Sequence, residues 1–171
     1  PSGGSSSAEQ HCGALRRFFA VVDPSEVNVV LADREFISAK WLRWLQSRDI
    51  PFVVRLRSDR RVGLTPEGPS LPARMFARPL RIGTERVLGG ERYIFGADEK
   101  PAQVRVVCRR IAPASGETGD RFLILATWGI DPEKATALYR RRWEIETLFG
   151  ALKSRGYRLE ETHLTGPDRI Q

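Results

Sequence analysis

The sequence predicts an α/β fold from three observations: a strand-helix-strand unit over residues 27–57, a long stretch of short strands after it, and an amphipathic helix opening at Asp131. Val27-Asn28-Val29-Val30-Leu31-Ala32 is a short β-branched apolar run of the kind buried in a central sheet, and it terminates at Asp33. A helix follows from about Ser38 to Ser47, with Trp41, Leu42, Trp44 and Leu45 as its packed side. Pro51 to Arg57 returns as a second strand, which makes a β-α-β unit.

Upstream, residues 1–8 are a Gly/Ser-rich lead-in with little to bury, expected to be flexible. Leu15, Phe18, Phe19 and Val22 then recur at helical spacing until Asp23-Pro24 ends the segment in a turn. Downstream, from Ser58 to Gly119, turn residues and arginines alternate with short strands at Arg60–Leu64, Leu80–Ile82, Arg92–Gly96 and Gln103–Ile111, which reads as an antiparallel β insertion. Within it, Gly89-Gly90 predicts a hairpin turn, and Thr65 to Pro72 an exposed loop. Arg121 to Thr127 is a third buried strand. Asp131-Pro132-Glu133 supplies an N-cap, a proline at the first helical position and an early acid, and so opens a long helix to about Arg155 that Gly156 closes. There is no internal repeat.

At 171 residues the chain has the length of one domain, and no apolar run approaches a membrane span. The expected location is cytoplasmic. Cys12 and Cys108 lack CxxC partners, so neither a disulfide framework nor a zinc site is supported, and both are expected to be inert. His11 and His163 receive no metal role. A net charge of +7 favours polyanionic partners. Only Lys40, Lys100, Lys134 and Lys153 are lysines, so 24 of the 28 basic residues are arginines, which suit bidentate phosphate contacts. A GC-rich genome enriches arginine in the same way, so charge alone does not choose nucleic acid.

Along the last helix, Leu138, Ile145, Leu148, Phe149 and Leu152 form one apolar stripe. At about 100° per residue, Tyr139, Arg142, Glu146 and Lys153 fall on one strip beside it. A carboxylate on such a strip can bind a divalent metal, while arginine and lysine hold phosphates on either side of it. A solvated flank of an amphipathic helix meets the same spacing, so spacing alone does not separate the two. Glu144 lies about 160° around an ideal helix from Glu146 and is set aside, as is Glu35, a helix-start or surface ion-pair residue.

The residue types carry more. Tyr139-Arg-Arg-Arg142-Trp-Glu-Ile-Glu146 followed by Lys153 resembles the Y-x2-R-x3-E-x6-K signature of bacterial insertion sequence 4 family transposases at all four positions. Leu31-Ala-Asp33-Arg-Glu-Phe36 similarly resembles the second-aspartate motif of that family, and the order of strand aspartate, β insertion and helix glutamate is the same. The resemblance covers residues 9–171 and implies a ribonuclease-H-like catalytic core with a β insertion at about 58–119. It implies that Asp33 and Glu146 are catalytic metal ligands, the second and third carboxylates of an Asp-Asp-Glu triad. It also implies that Tyr139, Arg142 and Lys153 contact DNA, that the cofactor is Mg²⁺ or Mn²⁺, and that a homodimer acts on double-stranded transposon ends and target.

The first aspartate of that pattern has no counterpart, because Asp23 sits in a Pro-containing turn only ten residues before Asp33. The expectation is therefore an incomplete core, with its first strands missing, that is inactive alone and exposes sheet edges. No tryptophan lies between Ser58 and Gly119 to stack on a base, Tyr93 and Phe95 are expected to pack, and Trp128 is a core candidate. The leading function is a DNA transposase in the nucleoid. A non-catalytic DNA-binding remnant is the runner-up, and a nuclease on the same fold the remoter third.

Overall fold

The computed structural model describes residues 8–34, 37–96, 100–113, 121–145 and 147. The chain divides into two compact units, Pro1–Tyr139 and Arg140–Gln171. In the first, helix α1 (Ala8–Phe18) precedes strand β1 (Val30–Ala32), helix α2 (Ala39–Gln46) and strand β2 (Phe52–Arg55). Strands β3 (Arg61–Gly63) and β4 (Ser70–Pro72) follow, then the single turn α3 (Arg74–Ala77), β5 (Glu85–Val87) and β6 (Arg92–Ile94). The long strands β7 (Ala102–Ile111) and β8 (Arg121–Trp128) lead to helix α4 (Ala135–Arg140).

The β-α-β unit forms as the sequence predicts: β1 and β2 pair in parallel, Val30 opposite Phe52 and Ala32 opposite Val54. The first strand is shorter than expected, because Val27 to Val29 lie outside it. α2 forms because Ser38 caps it, its hydroxyl accepting the Trp41 N–H at 3.0 Å. The helix closes in a Schellman arrangement: Ile50 N–H donates to the Leu45 carbonyl and Asp49 N–H to Gln46, each at 3.1 Å, with Asp49 at φ 55°. Ile50 and Leu45, fully buried, supply the apolar contact that accompanies such a cap.

All strands join one mixed sheet in the order β1-β2-β8-β7-β6-β3-β4, with β5 also on β7. β8 lies between β2 and β7, antiparallel to both, so the antiparallel strands extend the β1-β2 sheet. The expected strand at Leu80–Ile82 is absent; the chain turns there, with Gly83 at φ 85° donating to the Arg110 carbonyl at 2.8 Å, and the paired register of β5 on β7 starts at Glu85. The Thr65–Pro72 loop contains a strand of its own, because β4 pairs with β3 through Arg61 and Pro72. Pro72 is tolerated there because β4 is an edge strand.

Gly89-Gly90 does not fold β5 back on β6. Both strands pair with the same side of β7 in succession, Glu85 with Arg109, Val87 with Val107, Arg92 with Val104 and Ile94 with Ala102. The four residues 88–91 therefore face only Arg105 and Val106, and the glycines form a bulge, Gly90 at φ 69°.

Alternation along the strands sorts the core onto two faces. Phe52, Val54, Ile124, Ala126, Val104, Val106 and Cys108 face α1, α2 and α3, in a cluster that includes Cys12, Trp41, Leu42, Leu45 and Ala77. Trp128 packs on this side, its ring stacked 6.4 Å from that of Phe52. Val53, Val107 and Leu125 point the other way and pack with Ala135 and Tyr139 of α4. Burying side chains such as Phe52, Leu42 and Leu45 contributes about 1.5–3 kcal/mol each.

The long helix expected from Asp131 to Arg155 does not run unbroken through the described residues. Asp131 caps a 3-10 turn, its carboxylate accepting the Glu133 N–H at 3.1 Å, and α4 then ends at Arg140. Arg141 and Arg142 form a turn before helical residues resume at Trp143. The physical reason is local: Glu144 and Ile145 donate to the carbonyls three residues back, at 2.9 and 3.2 Å, and the Arg141–Glu144 ion pair at 3.1 Å matches that tighter spacing. Residues beyond Thr147, including the expected helix end at Arg155 and Gly156, lie outside the described residues.

Candidate active site

Asp33 follows the last residue of β1 and is half-buried. Strand alternation sets it on the face of Leu31, which packs with the Val53, Leu125 and Tyr139 cluster rather than with α2. Continuing the β1-β2 register by one residue places it beside Arg55. Because β1 and β2 are parallel, their carboxyl ends open together, the usual location of ligand sites in open α/β sheets.

Two donors converge on one oxygen of Asp33. The Arg34 backbone N–H donates to Oδ1 at 2.7 Å, and the Tyr139 hydroxyl donates to the same atom at 3.3 Å. The first contact is local, whereas the second joins residues 106 apart in sequence and exists only because α4 packs on this face of the sheet. Tyr139 itself is 4% exposed.

Beyond the carboxyl end of β2 lies a groove of about 440 Å³ lined by Arg57, Asp59, Arg60, Arg61, Phe95 and Gly96. Arg60 supports its wall, donating to the Phe95 carbonyl at 3.2 Å and to the carbonyl of Ile37, four residues after Asp33. Arg57 pairs with Asp59 at 3.3 Å, and Arg61 donates to Ser70 Oγ at 3.0 Å. Phe95 packs as expected, its ring lying where a Cβ on Gly63 would stand.

Of the residues singled out in the sequence, the structure brings Asp33 and Tyr139 together. Arg142 belongs to the second unit, where its guanidinium lies 5.4 Å from the Trp143 ring centroid. Glu146 and Lys153 lie outside the described residues, as does Glu35. Glu144 is occupied by Arg141. The turn at Arg141–Arg142 interrupts the ideal helix on which Tyr139 and Arg142 would share one strip. Arg55 and Arg60 were missed, because their proximity to the Asp33 segment depends on strand register and loop path, which leave no local signal.

Asp33 fits a divalent cation by donor chemistry, since a carboxylate is a hard oxygen ligand. Among the described residues no group of three or more His, Cys, Asp or Glu side chains comes together. Cys12 and Cys108 are buried and form no disulfide, and burial pushes the Cys108 thiol up to about 12, which keeps it protonated and inert.

The fold is a mixed α/β sheet with an aspartate at a parallel strand's carboxyl end. The family model described as "Transposase DDE domain" matches residues 3–171, and the chain belongs to that family. No curated protein matches it. Membership implies a ribonuclease-H-like fold, an enzyme of the transposase or nuclease type, and DNA as substrate. Among the described residues no helix is long and apolar enough to cross a membrane.

Proposed function

We propose that this chain is the catalytic part of an insertion sequence 4 family transposase that cuts transposon ends and joins them to target DNA by metal-dependent phosphoryl transfer. The observation that carries the reading is the position of Asp33, directly after a parallel strand, half-buried and oriented through Oδ1. Residues 9–171 are read as a partial ribonuclease-H-like domain whose β insertion spans about 58–119. Asp33 and Glu146 hold Mg²⁺ or Mn²⁺, which when bound stabilises charge on the attacked phosphate and activates the attacking oxygen. Arg142 and Lys153 hold phosphates, and the groove arginines beside the Asp33 segment suit the same backbone.

The reaction runs in two displacements. Water attacks phosphorus at the transposon end, the P–O3′ bond breaks, and the 3′ hydroxyl leaves with a proton. That hydroxyl then attacks a target phosphodiester, forming a new P–O bond as the target's 3′ oxygen departs. The full-length protein works as a homodimer on paired ends in the nucleoid.

The test is cleavage of duplex DNA carrying the element's end by full-length protein in Mg²⁺, with Asp33→Asn and Glu146→Gln beside the wild type. Losses of at least about 100-fold are expected from either variant, since even an outer-sphere partner of a metal is worth 10–100-fold. Wild-type rates in both variants would contradict the assignment. A wild type that binds DNA tightly and cuts none would identify the non-catalytic remnant instead.

A further inference from the structure

We propose that Arg60 is a positioning residue that ties the arginine-lined groove to the segment leading from Asp33 into α2, so that groove and candidate site keep one spacing. The inference rests on the metal-ligand reading of Asp33 and adds a residue to that site. Arg60 lies in the loop between β2 and β3 and is half-buried, whereas its groove neighbours Arg57 and Arg61 are exposed. Its guanidinium donates to the Phe95 carbonyl at 3.2 Å and to the carbonyl of Ile37, residues 35 and 23 positions away in sequence. Ile37 is buried and precedes Ser38, the cap of α2, and Phe95 follows the last residue of β6.

A guanidinium suits this task, because its donors are fixed in one plane and reach acceptors on two different segments at once. A carbonyl is also held more firmly by a charged donor than by a neutral one. The backbone of Arg60 is anchored in its turn. Its N–H donates to the Arg57 carbonyl at 3.0 Å, and its carbonyl accepts the N–H of Ala73, a fully buried residue just before α3, at 2.8 Å. The side chain therefore reaches the Ile37 segment from a backbone already fixed in the insertion. Phosphates in the groove and a cation at Asp33 act on the same DNA only if their separation is kept, and a misplacement of ~1 Å costs about 100-fold in rate.

The experiment compares full-length wild type with Arg60→Lys, which keeps the charge but offers a single nitrogen, and with Arg60→Gln and Asp33→Asn. Hydrogen–deuterium exchange is followed in residues 33–41 and 92–96, with β7 and β8 as internal controls. Cleavage of duplex carrying the element's end in Mg²⁺ is resolved into kcat and KM, and duplex affinity without metal is measured against salt. For both Arg60 variants the expected result is faster exchange in residues 33–41 and 92–96 alone, kcat lower by about 100-fold with KM unchanged, and a wild-type salt slope. Cleavage kept by Arg60→Lys but lost in Arg60→Gln, or a slope flattened by about one unit in Arg60→Gln, makes Arg60 a phosphate contact and overturns the proposal. Wild-type exchange in residues 33–41 overturns it too, and exchange accelerated along β7 and β8 reduces Arg60 to a contact of the fold. Wild-type cleavage by Asp33→Asn defeats the metal reading of Asp33, and the role of Arg60 at that site with it. Cleavage that Asp33→Asn removes but both Arg60 variants spare defeats the role of Arg60 alone.

Discussion

A Cβ built on Gly63 stands 2.8 Å from Cε2 of Phe95 and 3.2 Å from the Pro69 carbonyl oxygen. Gly63→Ala therefore has to push the ring aside against backbone, at an expected cost of about 1–3 kcal/mol, visible as a lowered Tm. Cys108 makes a different point at the same scale. Burial raises its thiol to about 12, so as pH climbs above the unfolded thiol's pKa of about 8.5 the unfolded chain loses a proton that the folded chain keeps. Stability from this group is full below that pH and lost between there and about 12. The check is denaturant unfolding of wild type and Cys108→Ala from pH 7 to 11: the variant is less stable at neutral pH, and the gap narrows as pH rises. Asp33 was singled out in the sequence by its likeness to the second-aspartate motif, at the point where a β-branched run stops. The burial of Tyr139 was not legible, because its polar oxygen reads as surface until a partner 106 residues away is known.

Helix α2 was the most legible element, since a Ser N-cap and an apolar side repeating at helical spacing state both its start and its packing. Ser38→Ala is expected to cost about 1 kcal/mol through the lost bond to the Trp41 amide. Its other end was not legible, because Asp49 takes the left-handed conformation usually given to glycine. Asp49→Gly is expected to raise stability by several tenths of a kcal/mol, measurable as a higher denaturant midpoint with an unchanged slope. Gly89-Gly90 misled for a related reason. The pair announces a backbone irregularity, but whether that irregularity is a hairpin or a bulge depends on β7, which pairs with the strands on both sides of it. The break after Arg140 was hidden by apolar periodicity, which continues across three arginines whose local bonding prefers a tighter turn.

At the scale of the molecule, the class of fold was readable and the sheet order was not. The parallel β-α-β unit follows from spacing and handedness, but the insertion of β8 between β2 and β7 is a long-range pairing without local signature. That pairing encloses the two core faces and places α4 on the same side as Asp33. The net charge of +7 belongs to this scale too. DNA affinity is expected to fall linearly in log–log form with salt, and Arg142→Ala to flatten the slope by about one unit, as removing one phosphate contact does. A slope unaltered by that change would remove Arg142 from the interface.

If Asp33 ligates the catalytic cation, a change of ligand softness at that position changes which metal supports cleavage. Asp33→Cys in the full-length protein replaces a hard oxygen with a thiolate, which disfavours Mg²⁺ and tolerates Mn²⁺ better. DNA strand cleavage is measured in each metal beside the wild type. The predicted result is cleavage by the variant lost in Mg²⁺ and partly restored in Mn²⁺. Equal cleavage by variant and wild type in both metals would exclude Asp33 as a ligand.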